Sequence, residues 1–150
     1  MIKILLLLLL IILDLFTKQL IINYIQLHEF IVINFFIDLT HIHNFGVSFG
    51  LFSGYISFWV LALIGLLIVF FIYYLILTSN DKFEKIGLFI IIGGALSNIL
   101  DRLIHGYVID FISIHYNKFY WPAFNLADIY ITIGILMIIF NIFKKFYKNK

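Results

Sequence analysis

Four long apolar stretches divide the chain, and each is long enough to cross a membrane as a helix. A spanning helix needs about 20 predominantly apolar residues at a rise of about 1.5 Å per residue. The pattern predicts spans over residues 2–24, 56–77, 86–105 and 124–143. Together with their short links they predict one integral membrane domain over residues 1–150.

The first span has the position of a secretory signal peptide, but its sequence favours a helix that is retained. Its apolar run exceeds the about 7–15 residues of a signal-peptide core, and no small-residue cleavage site follows it. It also carries Asp14 and Lys18. We therefore expect this span to remain part of the protein.

The composition excludes the main alternatives to a membrane protein. Hydrophobic residues make up 64% and charged residues 12% of the chain, whose mean hydropathy is +1.13. A soluble domain carries about 25% charged residues, and a disordered chain combines low hydrophobicity with high net charge. The net charge of +2 predicts no nucleic-acid partner, and the lack of cysteine excludes disulfides and thiolate metal sites.

The lysines predict the orientation of the spans. With four spans, those before the first, between the second and third, and after the fourth all fall on one side of the membrane. They are Lys3, Lys82, Lys85, Lys144, Lys145, Lys148 and Lys150. The positive-inside rule makes that side cytoplasmic, so the chain is predicted to be a multi-pass protein with both termini in the cytoplasm.

The first outer loop, residues 25–55, contains an apolar segment at 30–37 that is too short to span. The segment is β-branched and aromatic, which favours a strand, and residues 38–43 continue the extended pattern. The predicted fold is therefore an all-α membrane protein with four transmembrane helices and a small extracytoplasmic β-sheet formed by this first outer loop.

Small and polar residues of the third span fall within one stripe of roughly 100° at the helical period. They are Gly87, Gly94, Ser97, Asn98, Asp101 and His105. Such a stripe favours contact with other helices, with Gly93, Gly94 and Ser97 serving close packing. Asp101 and Arg102 form either a self-neutralising pair or part of a functional site.

Two carboxylates, Asp110 and Asp128, are expected to meet at the outer membrane boundary, because the third span exits and the fourth enters on that side. Two nearby carboxylates in a low dielectric cannot both ionise easily, so one holds a proton as general acid and the other acts as general base. Asn125, Asp128 and Thr132 share one helix face. The alternative is that Asp128 only caps the helix.

Five segments carry recognisable motifs in order along the chain. Residues 14–18 contain Asp-x-x-x-Lys, 43–50 contain Asn-x-Gly-x-x-Phe, and 93–102 contain Gly-Gly-Ala-x-Ser-Asn-x-x-Asp-Arg. Residues 108–111 read Val-x-Asp-Phe, and 121–128 read Trp-Pro-x-Phe-Asn-x-Ala-Asp. This series resembles the lipoprotein signal peptidases, the signal peptidase II family of intramembrane aspartyl proteases.

The resemblance implies roles for particular residues. Asp110 and Asp128 match the catalytic aspartates of the family. The residues matching its substrate site are Asn44, Gly46, Asn98, Arg102 and Asn125. The residues matching supporting positions are Asp14, Lys18 and Asp101. No cofactor and no metal are implied.

The resemblance also implies a substrate and a location. The substrate would be a prolipoprotein, cut before its diacylglyceryl-modified cysteine, by a monomer among membrane lipids in the bacterial cytoplasmic (inner) membrane, with the active site at the outer face. Three positions depart from the family pattern: Ser97 replaces a glycine, and Val47 and Ser48 replace small residues such as alanine. We expect these departures to affect substrate or inhibitor fit and to leave the aspartates untouched.

Other chemistries fit the sequence less well. A four-span proton-coupled transporter or a membrane accessory subunit is the main alternative, although transporters place a lone carboxylate near the membrane midplane. Gly46-x-Ser48-x-Gly50 matches a serine nucleophile elbow, but that motif needs a strand-turn-helix of a hydrolase sheet. His41-x-His43 could grip a metal, yet alternating histidines on a strand more often form an interfacial surface, and we predict no metal site.

Overall fold

The structure, a computed structural model, describes residues 2–47 and 51–148. Within these residues four helices are long and apolar enough to cross a membrane, which confirms the prediction of four spans. They are α1 (Ile2–Tyr24), α2 (Phe58–Thr78), α3 (Lys82–His105) and α4 (Leu126–Lys148).

Three helices begin at residues that differ from the sequence-based spans. The second begins at Phe58 instead of residue 56. The third helix begins at Lys82 instead of residue 86, because Asp81 caps it by accepting hydrogen bonds from the backbone N–H groups of Phe83 and Glu84. The fourth begins at Leu126 instead of residue 124. Phe124 is still part of the sheet, since it exchanges backbone hydrogen bonds with Ile112.

A four-stranded antiparallel sheet lies at one end of the helices, with strand order β1-β2-β3-β4. The strands are β1 (Phe30–Val32), β2 (Ile37–Asn44), β3 (Val108–Tyr116) and β4 (Phe119–Tyr120). A small sheet was expected, but its assignment to the first outer loop alone was wrong. The segment after α3 supplies β3 and β4, because its β-branched and aromatic residues pair with β2 through backbone hydrogen bonds.

The register of β2 against β3 places Asn44 next to the strand position of Asp110. Ile42 pairs with Asp110 and Asn44 with Val108, and the register shifts between Leu39 and Ile42. A buried apolar cluster joins this sheet to the end of α1. Its buried members are Ile21, Ile25, Ile109 and Phe111. The cluster therefore fixes β3 relative to the membrane helices.

The third helix is central, and it packs against the other three. Half of the residues in the most apolar 18-residue stretch of α3 are buried, against 17% in the corresponding stretch of α4. Gly94 lies against the backbone carbonyl of Ala127 with no room for a Cβ, and Gly87 faces the backbone of Gly134. The prediction that this stripe contacts other helices is thus confirmed, and its two glycines bring α3 and α4 together.

Candidate active site

Asp110, on β3, is held by two asparagine side chains. Asn44 Nδ2 donates to its Oδ2 at 2.9 Å, and Asn125 Nδ2 donates to its Oδ1 at 2.7 Å. The carbonyl oxygens of both amides are already occupied, because Asn44 Oδ1 accepts from Gly46 N and Asn125 Oδ1 accepts from Asp128 N. Both NH₂ groups are therefore fixed towards Asp110.

Asp128 lies in the first turn of α4. Its Oδ1 accepts from Asn98 Nδ2 at 2.9 Å, and its Oδ2 accepts from Asn125 N at 3.3 Å. Asn125 in turn accepts from the N–H of Asp128 at 3.0 Å. This is a reciprocal capping box in which Asn125 is the N-cap and Asp128 the third helical residue. Asp128 thus takes part in capping the helix, although Asn125 and not Asp128 occupies the N-cap position.

The protonation of Asp110 depends on its burial and on the charge of Asp128. Asp110 is 3% exposed, and burial, followed by the nearby charge of Asp128, raises the pKa of Asp110 to about 7. The hydrogen bonds from Asn44 and Asn125 act in the opposite direction. Asp110 can therefore hold a proton near neutral pH although it is hydrogen-bonded on both oxygens.

Both aspartates line one cavity of about 1000 Å³. Asn44, Asn98 and Arg102 line the same cavity near the carboxylates. The rest of its wall is mainly apolar and comes largely from α2, α3 and α4. Examples are Ile64, Ile68, Ile91, Ile99, Ile129 and Ile133. The cavity can accept an apolar segment and present one polar bond to two carboxylates.

Arg102 ties the segment after β2 to α3. Its Nη2 donates to Gly46 O at 2.7 Å and its Nη1 to Asn98 O at 3.2 Å. The possible self-neutralising pair of Asp101 and Arg102 is not formed. Consecutive residues on a helix point about 100° apart, and Asp101 turns towards Lys18 while Arg102 reaches the cavity.

A second polar cluster lies behind the carboxylates, among α1, α3 and α4. Lys18 Nζ is 2.8 Å from Asp14 Oδ2 and 3.1 Å from Asp101 Oδ2, and all three side chains are at most 1% exposed. Asp14 also accepts from Ser97 Oγ at 2.6 Å and from Ala127 N at 2.8 Å. Treating Ser97 as packing only was therefore wrong, since its hydroxyl bonds the buried carboxylate.

The structure brings together every predicted site residue that it describes. Asn125 and Gly46 are buried behind the cavity wall, and they orient other groups. The sequence-based assignment missed one contact of the second polar cluster: His105 Nδ1 lies 2.8 Å from Asp101 Oδ1. The four-residue spacing of this pair on a helix was the available signal.

The two other chemistries considered from the sequence, a serine nucleophile and a histidine metal site, concern residues apart from the carboxylates. Ser48 and Gly50, and with them the pattern of a serine nucleophile, lie outside the described residues. Among residues 2–47 and 51–148, no group of three or more histidine or acidic side chains could hold a metal ion. The Nε2 atoms of His41 and His43 are 3.1 Å apart, and His41 Nδ1 is bonded to the carbonyl of Ile25 at 2.9 Å.

Comparison with known proteins gives a consistent result. Lipoprotein signal peptidase of Wigglesworthia glossinidia brevipalpis is 41% identical over 130 residues, which cover 85% of each chain. The protein of the same name from Thermodesulfovibrio yellowstonii is 36% identical over 137 residues and 91% of each chain. The chain thus matches these relatives over most of their length.

Solved structures agree with the fold. One bacterial membrane enzyme superposes with a TM-score of 0.89 at 28% identity, covering 99% of this chain and 91% of the other. A second gives a TM-score of 0.82 at 29% identity, covering 93% and 91%. The family model described as signal peptidase (SPase) II matches residues 6–144. With its four apolar helices and its buried carboxylates, the chain belongs to the signal peptidase II family of aspartic-type membrane peptidases.

Proposed function

We propose that this protein is an intramembrane aspartyl endopeptidase that removes the signal peptide from prolipoproteins, cleaving before the diacylglyceryl-modified cysteine. The relatives reported above are named lipoprotein signal peptidases. The aspartyl mechanism in this proposal rests on one observation, the pair Asp110 and Asp128 in the wall of a largely apolar cavity. Three asparagine amides hold this pair in place.

The two carboxylates divide the chemistry between them. Asp110 carries the proton, in keeping with its raised pKa of about 7, and Asp128 is the general base. Asp128 takes a proton from water as the water oxygen bonds to the scissile carbonyl carbon, and Asp110 protonates the carbonyl oxygen. When the C–N bond breaks, Asp128 gives its proton to the leaving amine and Asp110 regains one from the diol.

The cavity fits a signal peptide that enters as an apolar helix. The peptide bonds of a helix are shielded, so the substrate must unwind at the scissile bond. Unwound backbone at membrane depth is tolerated only inside a protein-lined cavity. The amides of Asn44 and Asn98 and the guanidinium of Arg102 line the cavity and can bond such backbone. The acyl chains of the modified cysteine stay in the bilayer between the helices.

The proposed orientation puts the site at the outer face of the bacterial inner membrane. The lysine-bearing link between α2 and α3 and the lysine-rich end of α4 lie on the side that the positive-inside rule assigns to the cytoplasm. The sheet and both aspartates then lie on the opposite side. The exposed apolar residues Phe30, Val32 and Phe35 would rest on the outer membrane surface. All site residues come from one chain, so a monomer suffices.

Cleavage of a lipid-modified precursor tests the proposal. Purified wild-type protein is mixed with a diacylglyceryl-modified prolipoprotein, and the shift of the product is followed on a gel. Asp110→Asn and Asp128→Asn should each abolish the shift while protein yield stays unchanged. Asp81→Asn, an equivalent change at the N-cap of α3, is the control and should cleave normally. A wild-type protein that leaves the precursor intact would favour the transporter alternative.

A further inference from the structure

Lys18 is buried behind the carboxylate pair and does not line the cavity. Its ammonium group has three N–H donors, and three acceptors surround it. They are Asp14 Oδ2 at 2.8 Å, Asn98 Oδ1 at 2.9 Å and Asp101 Oδ2 at 3.1 Å. The lysine is thus saturated within the protein, and no donor remains for a substrate.

The contact with Asn98 determines which way that amide points. The oxygen and nitrogen of an asparagine amide have nearly the same shape, and their assignment follows from the hydrogen bonds around them. Lysine can only donate, so it holds Oδ1 of Asn98 and turns Nδ2 away. Nδ2 then donates to Oδ1 of Asp128 at 2.9 Å.

We infer that Lys18 is a positioning residue for the reaction, acting through the amide of Asn98 on the carboxylate of Asp128. This inference rests on the proposed function. With the lysine removed, Oδ1 of Asn98 has no donor, and only the bond from Nδ2 to Asp128 still orients the amide. The donor to the base that activates water is then held less firmly, and the base loses its fixed orientation.

The competing role for Lys18 is purely structural. Its charge compensates Asp14 and Asp101, and removing one partner of a buried ion pair is strongly destabilising. Under that role, enzyme that still folds without the lysine would cleave normally. A positioning role instead predicts slow cleavage by folded enzyme, with substrate binding unchanged.

A double variant separates the two roles. Lys18→Met alone leaves two buried carboxylates without their lysine and can prevent folding. Asp14→Asn combined with Lys18→Met removes one positive and one negative charge together. The new amide oxygen still accepts from Ala127 N, and Asp101 keeps its contacts with His105 and with the N–H of Ile109. This double variant therefore loses the bond to Asn98 and the contact with Asp101 without changing the net charge of the cluster.

The measurement is kcat and KM for the lipid-modified precursor, per amount of folded enzyme judged by size-exclusion chromatography in detergent. We expect the double variant to lose about 10- to 100-fold in kcat, with KM within about twofold. Lys145→Met is the matched control, because Lys145 also bonds two carboxylates, Asp81 and Glu84, at the other end of the helices. It should leave both constants unchanged.

Asn98→Ala completes the test. If Lys18 acts through this amide, Asn98→Ala must lower kcat at least as much as the double variant, and combining all three changes must cost no more than Asn98→Ala alone. A double variant with wild-type kcat, or a larger loss than that of Asn98→Ala, overturns the inference. Wild-type enzyme that does not cleave would instead refute the proposed function.

Discussion

At the scale of single residues, the surroundings of Asp110 favour its protonated form over the ionised one. Its side chain is buried, and the charge of Asp128 opposes its ionisation. Asn44 and Asn125 hold both its oxygens with amides that cannot be reversed without breaking their own bonds to backbone N–H groups. A site with one proton held between fixed donors is suited to acid catalysis, whereas a buried carboxylate with a lysine partner, such as Asp14, is not.

The raised pKa of Asp110 makes stability depend on pH. The pKa is about 7 in the folded protein against 3.8 for an unperturbed aspartate. A carboxyl whose pKa is raised on folding contributes stability below the unfolded pKa and loses it as the pH rises through the folded value. At about 1.36 kcal/mol per pKa unit, the wild-type protein should lose up to about 4 kcal/mol relative to Asp110→Asn between pH 4 and pH 8.

Melting curves in detergent at several pH values measure this loss. The melting temperature of wild-type protein minus that of Asp110→Asn should fall steadily from pH 4 to pH 8, whatever its value at pH 4. For Asp81→Asn the difference should instead rise with pH, mostly below about pH 4, because backbone and side-chain hydrogen bonds lower the pKa of Asp81 to about 2. A flat difference for Asp110→Asn would show that this carboxyl ionises normally.

At the scale of elements, the contact of α3 with α4 sets the position of the start of α4, which carries Asp128. Gly94 lies directly against the backbone carbonyl of Ala127, the residue before Asp128. A Cβ at Gly94 has no room there, and backbone cannot move aside as a flexible side chain can. The start of α4 must therefore shift when this glycine is replaced, and Asp128 shifts with it.

Gly93 and Gly94 offer a matched comparison. A Cβ at Gly93 would meet the side chain of Leu10 at 3.1 Å, which can adjust. We expect Gly94→Ala to lower both the melting temperature and kcat, and Gly93→Ala to leave kcat within about twofold of wild type, as overpacking typically costs about 1–3 kcal/mol. Cleavage assays and melting curves on both variants check this. Equal kcat values would show that the carbonyl of Ala127 does not fix the site.

Hydropathy predicts the helices because a membrane span is a property of about 20 neighbouring residues. The sheet was only partly predictable. Asn34 forms a turn within the apolar segment by accepting hydrogen bonds from the backbone of Phe36 and Ile37. The expected continuous strand is therefore two strands with a turn between them. The strand at Val108–Tyr116 lies far along the chain from β2, and local pattern does not reveal such pairing.

The site, like the sheet, was predictable from the sequence only in part. The identity of its aspartates and asparagines follows from the motifs, but their contacts do not. The partner of Asp101 is Lys18, 83 positions earlier and on another helix, instead of the adjacent Arg102. The orientation of each amide depends on backbone N–H groups or on the lysine beyond it. Only the packing of the helices brings these groups together.

For the whole molecule, the proposed mechanism requires a definite orientation in the membrane. The sheet, the aspartates and the ends of α1 and α3 must face outwards, and the link at residues 79–81 must face the cytoplasm. The described exposed residues include Asn80 in that link and Lys118 in the turn between β3 and β4. Because the chain contains no cysteine, a single cysteine placed at either position can be labelled without background.

We expect Lys118→Cys to react with a membrane-impermeant maleimide in intact spheroplasts, and Asn80→Cys to react only after the membrane is permeabilised. The physical reason is the lysine bias of the loops, which places the α2–α3 link inside. Both variants must retain cleavage, which shows that the labelled protein has the active arrangement. Labelling of Asn80→Cys in intact spheroplasts would show that the protein has the opposite orientation, with its carboxylates at the inner face. A precursor exported through the membrane would not present its cleavage site there.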